Sequence, residues 1–221
     1  MVFWIGSTFG LLIAYLLGSA PTGYLAGKLL RGIDIREHGS KSTGATNVLR
    51  TLGKWPALFV LLVDVLKGAA AIVFARWYYP LLSTQPSIAS PTDIRTLVPS
   101  TVCLSGLAVL LGHGRSVWLK FTGGRSAATG LGVLLAISLP VGLGAVAVWD
   151  VVLAIFRIVS LSSILAASTA IVLVFSFEHP MPYRLLVVAG GLYVIVRRRA
   201  NIQRLLAGAE PRLGQTAPER R

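Results

Sequence analysis

Apolar residues run along this chain in long blocks, and the charged residues fall between them. Residues 1–27, 96–114, 126–149 and 158–177 contain no Asp, Glu, Lys or Arg. A helix needs ~20 mostly apolar residues to cross a bilayer, so each block predicts membrane helix. Residues 55–79 are a further candidate that carries Asp64, Lys67 and Arg76. Residues 185–196 are a shorter one, extending back toward Pro180. The stretch between Arg125 and Arg157 decides the helix count. It would make a helix of ~46 Å at ~1.5 Å per residue, too long for one upright crossing and short for two. Ser138-Leu139-Pro140 lies in its middle, and proline opposes a continuous helix. The expectation is a hairpin of one short and one longer helix, with a single tilted, kinked helix as the alternative. Segment 80–99 holds Pro80, Pro86, Pro91 and Pro99 among Ser and Thr and reads as an external loop.

The pattern therefore predicts an all-α integral membrane protein of about seven transmembrane helices, some of them short. Residues 1–206 form a single membrane domain, and 207–221 read as a polar, frayed cytoplasmic tail. Met1-Val2-Phe3-Trp4 lacks the basic start of a cleavable signal peptide, so the first block reads as a retained span.

Composition agrees. Of 221 residues 54% are hydrophobic and 13% charged, and the mean hydropathy is +0.73. These values exclude a disordered chain and argue against a soluble globular domain. The formal net charge of +13 would suggest nucleic acid in a soluble protein. Here it reports orientation. Loop 28–54, loop 113–125, Arg157 and the chain beyond Val196 together hold 17 of the 21 basic residues. If these regions face the cytoplasm, the N-terminus lies outside, the C-terminus inside, and the positive-inside rule is met. The expected location is the cell inner membrane. The single cysteine, Cys103, excludes an intrachain disulfide.

Polar chemistry gathers in a few stretches on that basic side. The run from Asp34 to Arg50 mixes glycines, hydroxyls and amides with Arg and Lys. Gly39 and Gly44 allow close approach to a ligand, and successive N–H groups can form an anion nest. Thr46 or Asn47 can cap a following helix. An ordinary capped loop is the plainer alternative. Gly123-Gly124-Arg125-Ser126 also suits an anion, though it is not a Walker loop. Ser160 and Ser163 lie one turn apart, as do Arg198 and Asn201. These groups also fit close helix packing and a topology anchor. Asp64 and Lys67, at i and i+3, suit a structural pair more than a catalytic one. No metal-ligand pattern and no serine-hydrolase elbow appears, and no cofactor is expected.

Taken in order, these stretches resemble the bacterial acyl-phosphate:glycerol-3-phosphate acyltransferases of the PlsY type. The likeness runs from Gly18-Ser19-Ala20-Pro21-Thr22-Gly23-Tyr24 through Asp34–Arg50, Asp64-Val65-Leu66-Lys67-Gly68, Gly112-His113 and Phe121-Thr122-Gly123-Gly124-Arg125. It ends with Val159-Ser160-Leu161 and Asn201-Ile202-Gln203-Arg204. The resemblance implies seven membrane helices and a site on the cytoplasmic face. It implies transfer of an acyl group from acyl phosphate to the 1-hydroxyl of glycerol 3-phosphate. The products would be lysophosphatidic acid and inorganic phosphate, the first acylation of phospholipid synthesis. Partners would be the two substrates and membrane lipids, with no nucleic acid and no metal. Carried onto this chain, it implies catalytic roles for Ser40, Arg50, Arg125 and Asn201. Substrate-binding roles fall to Gly39, Ser42, Gly44, Thr46, Asn47, Gly123, Gly124, Ser160, Ser163 and Arg198. Four places depart from the family pattern: Lys41 and Ser42 replace its Gly-Asn, Arg125 and Ser126 its Lys-Gly. A fifth, Arg198, replaces its His. Three readings stay open: a small transporter using Asp64 and Lys67, a non-catalytic paralogue, and an acyl-CoA-using enzyme. The last lacks the His-x-x-x-x-Asp motif.

Overall fold

A computed structural model describes residues 2–83 and 91–214. The chain is all helical there. Seven apolar helices make the body: α1 (Val2–Ser19), α4 (Lys54–Ser83), α5 (Pro91–Gly114), α6 (Ala127–Ile137), α7 (Leu139–Phe156), α8 (Val159–Leu173) and α9 (Met181–Val196). Three polar or amphipathic helices sit at one end: α2 (Thr22–Arg31), α3 (Ala45–Thr51) and α10 (Arg199–Leu206). Four segments are long and apolar enough to cross a membrane, the first continuing through α2, while α6, α8 and α9 are apolar but shorter. Large apolar side chains cover the outside, among them Trp4, Phe9, Phe59, Trp77, Ile155 and Val172. A surface of that kind needs lipid, not water, as its solvent. Residue 1, residues 84–90 and 215–221, including Arg220 and Arg221, lie outside the described residues.

The hairpin expected between Arg125 and Arg157 is present. The α6 helix ends at Ile137, Ser138 is extended (φ −149°, ψ 102°), and Pro140 enters the first turn of α7. Because α6 is short, its last carbonyls are left without helical partners. Arg76 reaches across from α4 and donates to the carbonyls of Ala136 (2.6 Å) and Ile137 (3.2 Å). That explains a guanidinium within an apolar helix.

Two sequence readings are corrected. The block 1–27 is not one helix: it breaks at Ala20-Pro21, where proline lacks a donor and its ring disfavours helix at the residue before it. The break frees the carbonyls of Ser19 and Ala20. Ser116 donates its hydroxyl to the first (2.6 Å) and Lys67 its ammonium to the second (3.1 Å). The 80–99 loop is also shorter than its prolines suggest. Helix α4 runs through Pro80 and α5 through Pro99. A membrane helix can keep a proline within it, at the loss of the bond to the carbonyl four residues before, when neighbouring helices hold it in place. Close by, Ser83 donates to the Pro80 carbonyl at the end of α4, and Thr101 to those of Leu97 and Val98.

Small residues set the tightest helix pairs. Gly68 of α4 lies on the backbone of Thr129 in α6, and Gly132 of α6 lies on Val65 of α4. A Cβ at either place would strike a carbonyl oxygen, so glycine lets the two backbones close in. The same reciprocal fit joins α1 and α5 through Gly18 and Gly112.

Candidate functional site

The loop from Asp34 to Gly44 is built around one side chain. Asn47, 1% exposed, donates to the carbonyls of Ile35 (2.9 Å), His38 (3.1 Å) and Ser42 (2.8 Å). Its carbonyl oxygen accepts the Ser40 N–H at 2.8 Å. Both amide hydrogens, one of them shared, are spent on the loop's carbonyls. Neither Thr46 nor Asn47 caps α3, as the sequence suggested; Gly44 holds the N-cap place with no side-chain bond. Asn47 shapes the loop instead. Asp34 opens it, accepting the Arg36 backbone N–H (2.9 Å) and gripping the Arg36 guanidinium (2.6 Å). That hydrogen bond holds the Asp34 carboxyl down at about 2. Arg36 also donates to the Thr122 hydroxyl at 3.2 Å, which brings the two glycine-bearing stretches side by side.

The second stretch behaves differently from its sequence reading. Gly123 and Gly124 lie against the backbone and ring of His113, and the Gly124 N–H donates to the His113 carbonyl at 3.1 Å. These glycines let the loop cross His113; they do not line the central cavity. Arg197 clamps the crossing from the other side, donating to the carbonyls of Gly114 (3.1 Å) and Gly124 (2.8 Å). Arg125 is thereby aimed at the cavity.

Two of the departures from the family motif sit on a telling backbone. Lys41 has φ +55° and Ser126 has φ +57°. Both replace glycines of the motif the sequence resembles. A left-handed residue other than glycine costs ~1–2 kcal/mol. The glycine conformation persists at both places without the glycine. Ser126 partly offsets its strain by donating its hydroxyl to the Leu110 carbonyl (2.9 Å).

Between these loops opens a cavity of about 320 Å³. Ser40, Ser42, Gly44, Thr46, Asn47, Arg125, Ser163 and Arg198 of the expected site residues line it. Ser163 donates to the Val159 carbonyl (2.8 Å) and accepts the Trp149 indole N–H (3.2 Å) at the cavity wall. Gly39, Arg50, Gly123, Gly124, Ser160 and Asn201 are not on its lining. Gly39 takes φ +56° and rests on Asn47.

Ser160 and Asn201 meet on a residue that sequence reasoning consigned to a frayed tail. Residues 207–214 fold back over the helix ends. Glu210, its side chain 5% exposed, accepts from the Ser160 hydroxyl (2.7 Å), the Asn201 amide and the Arg204 guanidinium (2.7 Å). The Leu213 N–H donates to the Arg157 carbonyl at 2.6 Å. Around Glu210 stand Arg50, Arg125 and Arg198 as well, each drawn toward its charge. Burial lowers the pKa of all three guanidiniums, most of all Arg198, where Arg125 adds its repulsion and the value falls to about 9. Four guanidiniums share one carboxylate, a formal surplus of three positive charges. Crowded, half-desolvated cations of this kind are a site for a multiply charged anion.

Asp64 and Lys67 pair at 2.7 Å, as their spacing predicted. Asp64 also accepts the Thr22 hydroxyl (2.7 Å) and stands 3.6 Å from His113 Nδ1. The set bolts the α1–α2 break to α4 and α5. Asp64 keeps one carboxylate oxygen without a hydrogen-bond partner among the described residues and lines the central cavity. Among the described residues no group of three His, Cys, Asp or Glu is placed to hold a metal.

A family profile for glycerol-3-phosphate acyltransferases matches residues 8–208. The chain belongs to that family. Glycerol-3-phosphate acyltransferase 2 of Rhizobium johnstonii is 73% identical over 98% of this chain and all of that one. The glycerol-3-phosphate acyltransferase of Acaryochloris marina is 57% identical over 93% and 91%. Crystal structures of PlsY, an integral membrane glycerol 3-phosphate acyltransferase, superpose well. Its glycerol 3-phosphate form gives a TM-score of 0.81 at 35% identity, covering 94% of this chain and 96% of that one. Its lysophosphatidic acid form gives 0.78 at 34%. The PlsY membership read from the ordered motifs is borne out.

Proposed function

We propose that this protein transfers an acyl group from acyl phosphate to the 1-hydroxyl of glycerol 3-phosphate. It releases lysophosphatidic acid and inorganic phosphate. One observation carries the reading: a cavity whose rim is cationic and hydroxyl-bearing and whose interior is apolar. Only a substrate with a phosphate at one end and a hydrocarbon at the other satisfies both parts.

In this reading the donor phosphate lies against the Ser40–Thr46 loop, with Ser40, Ser42 and Thr46 as donors beside Gly44. Arg50, Arg125 and Arg198 hold the glycerol 3-phosphate. The Glu210 clasp, through Ser160 and Asn201, keeps that cationic rim together without neutralising it. The hydroxyl oxygen attacks the acyl carbon. The bond from that carbon to the phosphate oxygen breaks, and phosphate leaves with the electron pair. The hydroxyl proton passes to a phosphate oxygen of the substrates. Aligning a bound hydroxyl with an activated acyl group lowers the barrier by about 7–11 kcal/mol. Cationic donors at the developing charges supply more. No nucleophilic triad is required. The seven apolar helices cross the membrane with the N-terminus outside. The basic loops and this rim face the cytoplasm of the inner membrane, as their 17 basic residues suggest.

The test is an assay of the purified protein in lipid with radiolabelled glycerol 3-phosphate and either palmitoyl phosphate or palmitoyl-CoA. Lysophosphatidic acid from palmitoyl phosphate, with the glycerol 3-phosphate KM raised tenfold or more by Arg50→Ala, is expected. Product from the CoA ester alone overturns the donor. No product from either overturns the reaction.

A further inference from the structure

The interior of the cavity has more to say than that it is apolar. Its walls come mainly from α6, α7, α8 and α9, with Leu61 and Asp64 from α4 and Leu110 and His113 from α5. Along its sides the lining residues Leu131, Val146, Trp149 and Ala167 are partly exposed. At the far end the lining residues are sealed: Ala145 is 4% exposed, Ala170 1%, Leu186 1% and Val187 3%. Below them Val141 and Val174, both fully buried, pack in the same cluster but no longer touch the cavity. The cavity therefore has a floor.

Its depth follows from helix geometry. Val159 lines it beside the polar rim and Ala170 at the floor, both on α8. The rise between them is about 16 Å at ~1.5 Å per residue. A bilayer core of ~30 Å leaves about 15 Å for the chains of one leaflet. The cavity is as deep as one membrane acyl chain is long when packed in lipid. Alanine at two of the floor positions makes the depth, and a larger side chain at either would take it away.

We infer that Ala145, Ala170 and Leu186 form a ruler that sets the length of acyl chain the donor brings. This rests on the acyl-transfer reading above. Ala170 subtracts nothing from the depth, while Leu186 closes it from α9. Chains that reach the floor are held along their whole length by packed side chains. Chains that overrun it must bend or leave their terminus behind.

The experiment measures kcat/KM for octanoyl, lauroyl, palmitoyl and stearoyl phosphate in the wild type and two variants. Ala170→Leu shortens the cavity, so the ratio of palmitoyl to lauroyl phosphate falls at least tenfold. Leu186→Ala deepens it, so the ratio of stearoyl to palmitoyl rises severalfold. A uniform change across the series in both variants overturns the ruler. A second measurement stands without turnover: palmitoyl phosphate with a diazirine at its chain terminus, photolysed on the intact protein in lipid. Adducts on peptides at Ala170 and Leu186 are expected. Adducts confined to lipid-facing Leu165, Val172 and Leu185, which are 39%, 68% and 57% exposed, overturn the ruler. If the wild type makes no lysophosphatidic acid at all, the reaction fails, and the labelling alone decides the floor.

Discussion

Removing the Glu210 carboxylate tests the organisation of the whole rim. In the folded chain this side chain accepts from Ser160, Asn201 and Arg204, and three further guanidiniums face it. Glu210→Ala leaves those cations without the one carboxylate that faces them among the described residues. Breaking a buried ion pair from one side costs about 3–5 kcal/mol. Arg204 is one-third exposed, so its share is the smaller one, and the buried groups carry the rest. For a chain of this size each kcal/mol moves a thermal midpoint by ~2–4 °C. The expected drop is about 6–20 °C, read as loss of activity after heating in lipid or as detergent-solubilised unfolding. Glu210→Gln keeps the volume and one acceptor and should fall between the variant and the wild type. Added inorganic phosphate should restore part of the lost midpoint in both variants, since an anion replaces the missing charge. An unchanged midpoint in Glu210→Ala would refute the clasp.

Four further outcomes follow from the same geometry. Asn47→Ala removes the hub of the donor loop and leaves the carbonyls of Ile35, His38 and Ser42 without it; kcat should fall at least 100-fold, measured by lysophosphatidic acid formation. Gly124→Ala drives a methyl group into the His113 ring and displaces Arg125, so the glycerol 3-phosphate KM should rise, while Gly130→Ala, whose Cβ would meet only ordinary van der Waals contacts, leaves stability within about 1 kcal/mol of wild type. Lys41→Gly relieves a left-handed lysine of ~1–2 kcal/mol, offset by ~0.5–1 kcal/mol of added chain entropy, and should raise the thermal midpoint slightly. Asp34→Asn loosens the loop entrance by under about 1 kcal/mol at neutral pH. Asp34 is depressed in the fold to about 2, so its contribution is present above the usual carboxylate range and fades as pH falls through about 4 to 2; stability measured across that window in wild type and variant should converge at the acid end.

Much of the fold was legible because lipid demands apolar runs, and the hairpin at Ser138 needed only a proline and a length. The misjudged places share a cause. Prolines 80 and 99 looked like loop signals because local chemistry says so, but in an apolar surrounding packing against other helices holds a proline within a helix. Gly123 and Gly124 looked like an anion cradle, yet their glycine character answers to His113 behind them. Glu210 was hidden in a tail rich in arginine, and only the return of that tail gives it partners six to fifty residues away. A lone carboxylate two residues past a glycine that ends a helix was the one signal on the page, and it gains meaning only beside Ser160.

On the proposed reading, the arginines let so small a membrane fold hold two phosphates. Helices α3, α6, α8 and α10 each deliver a polar end to one rim, and the broken helices leave carbonyls that bind stray cations elsewhere: Lys67, Arg76 and Arg197 all do this. Those three are spent on the fold. Arg50, Arg125 and Arg198 are not; Glu210 answers them collectively and leaves a positive surplus. Arg198 stands where the family's motif has histidine, and Arg125 where it has lysine. Both changes exchange a titratable or point-like cation for a planar fork that stays charged and can grip phosphate through two donors. A rim built this way has no use for a proton-shuttling imidazole. It acts by holding charge in place beside an apolar cavity. On the proposed reading, the acid–base work falls to the phosphates themselves.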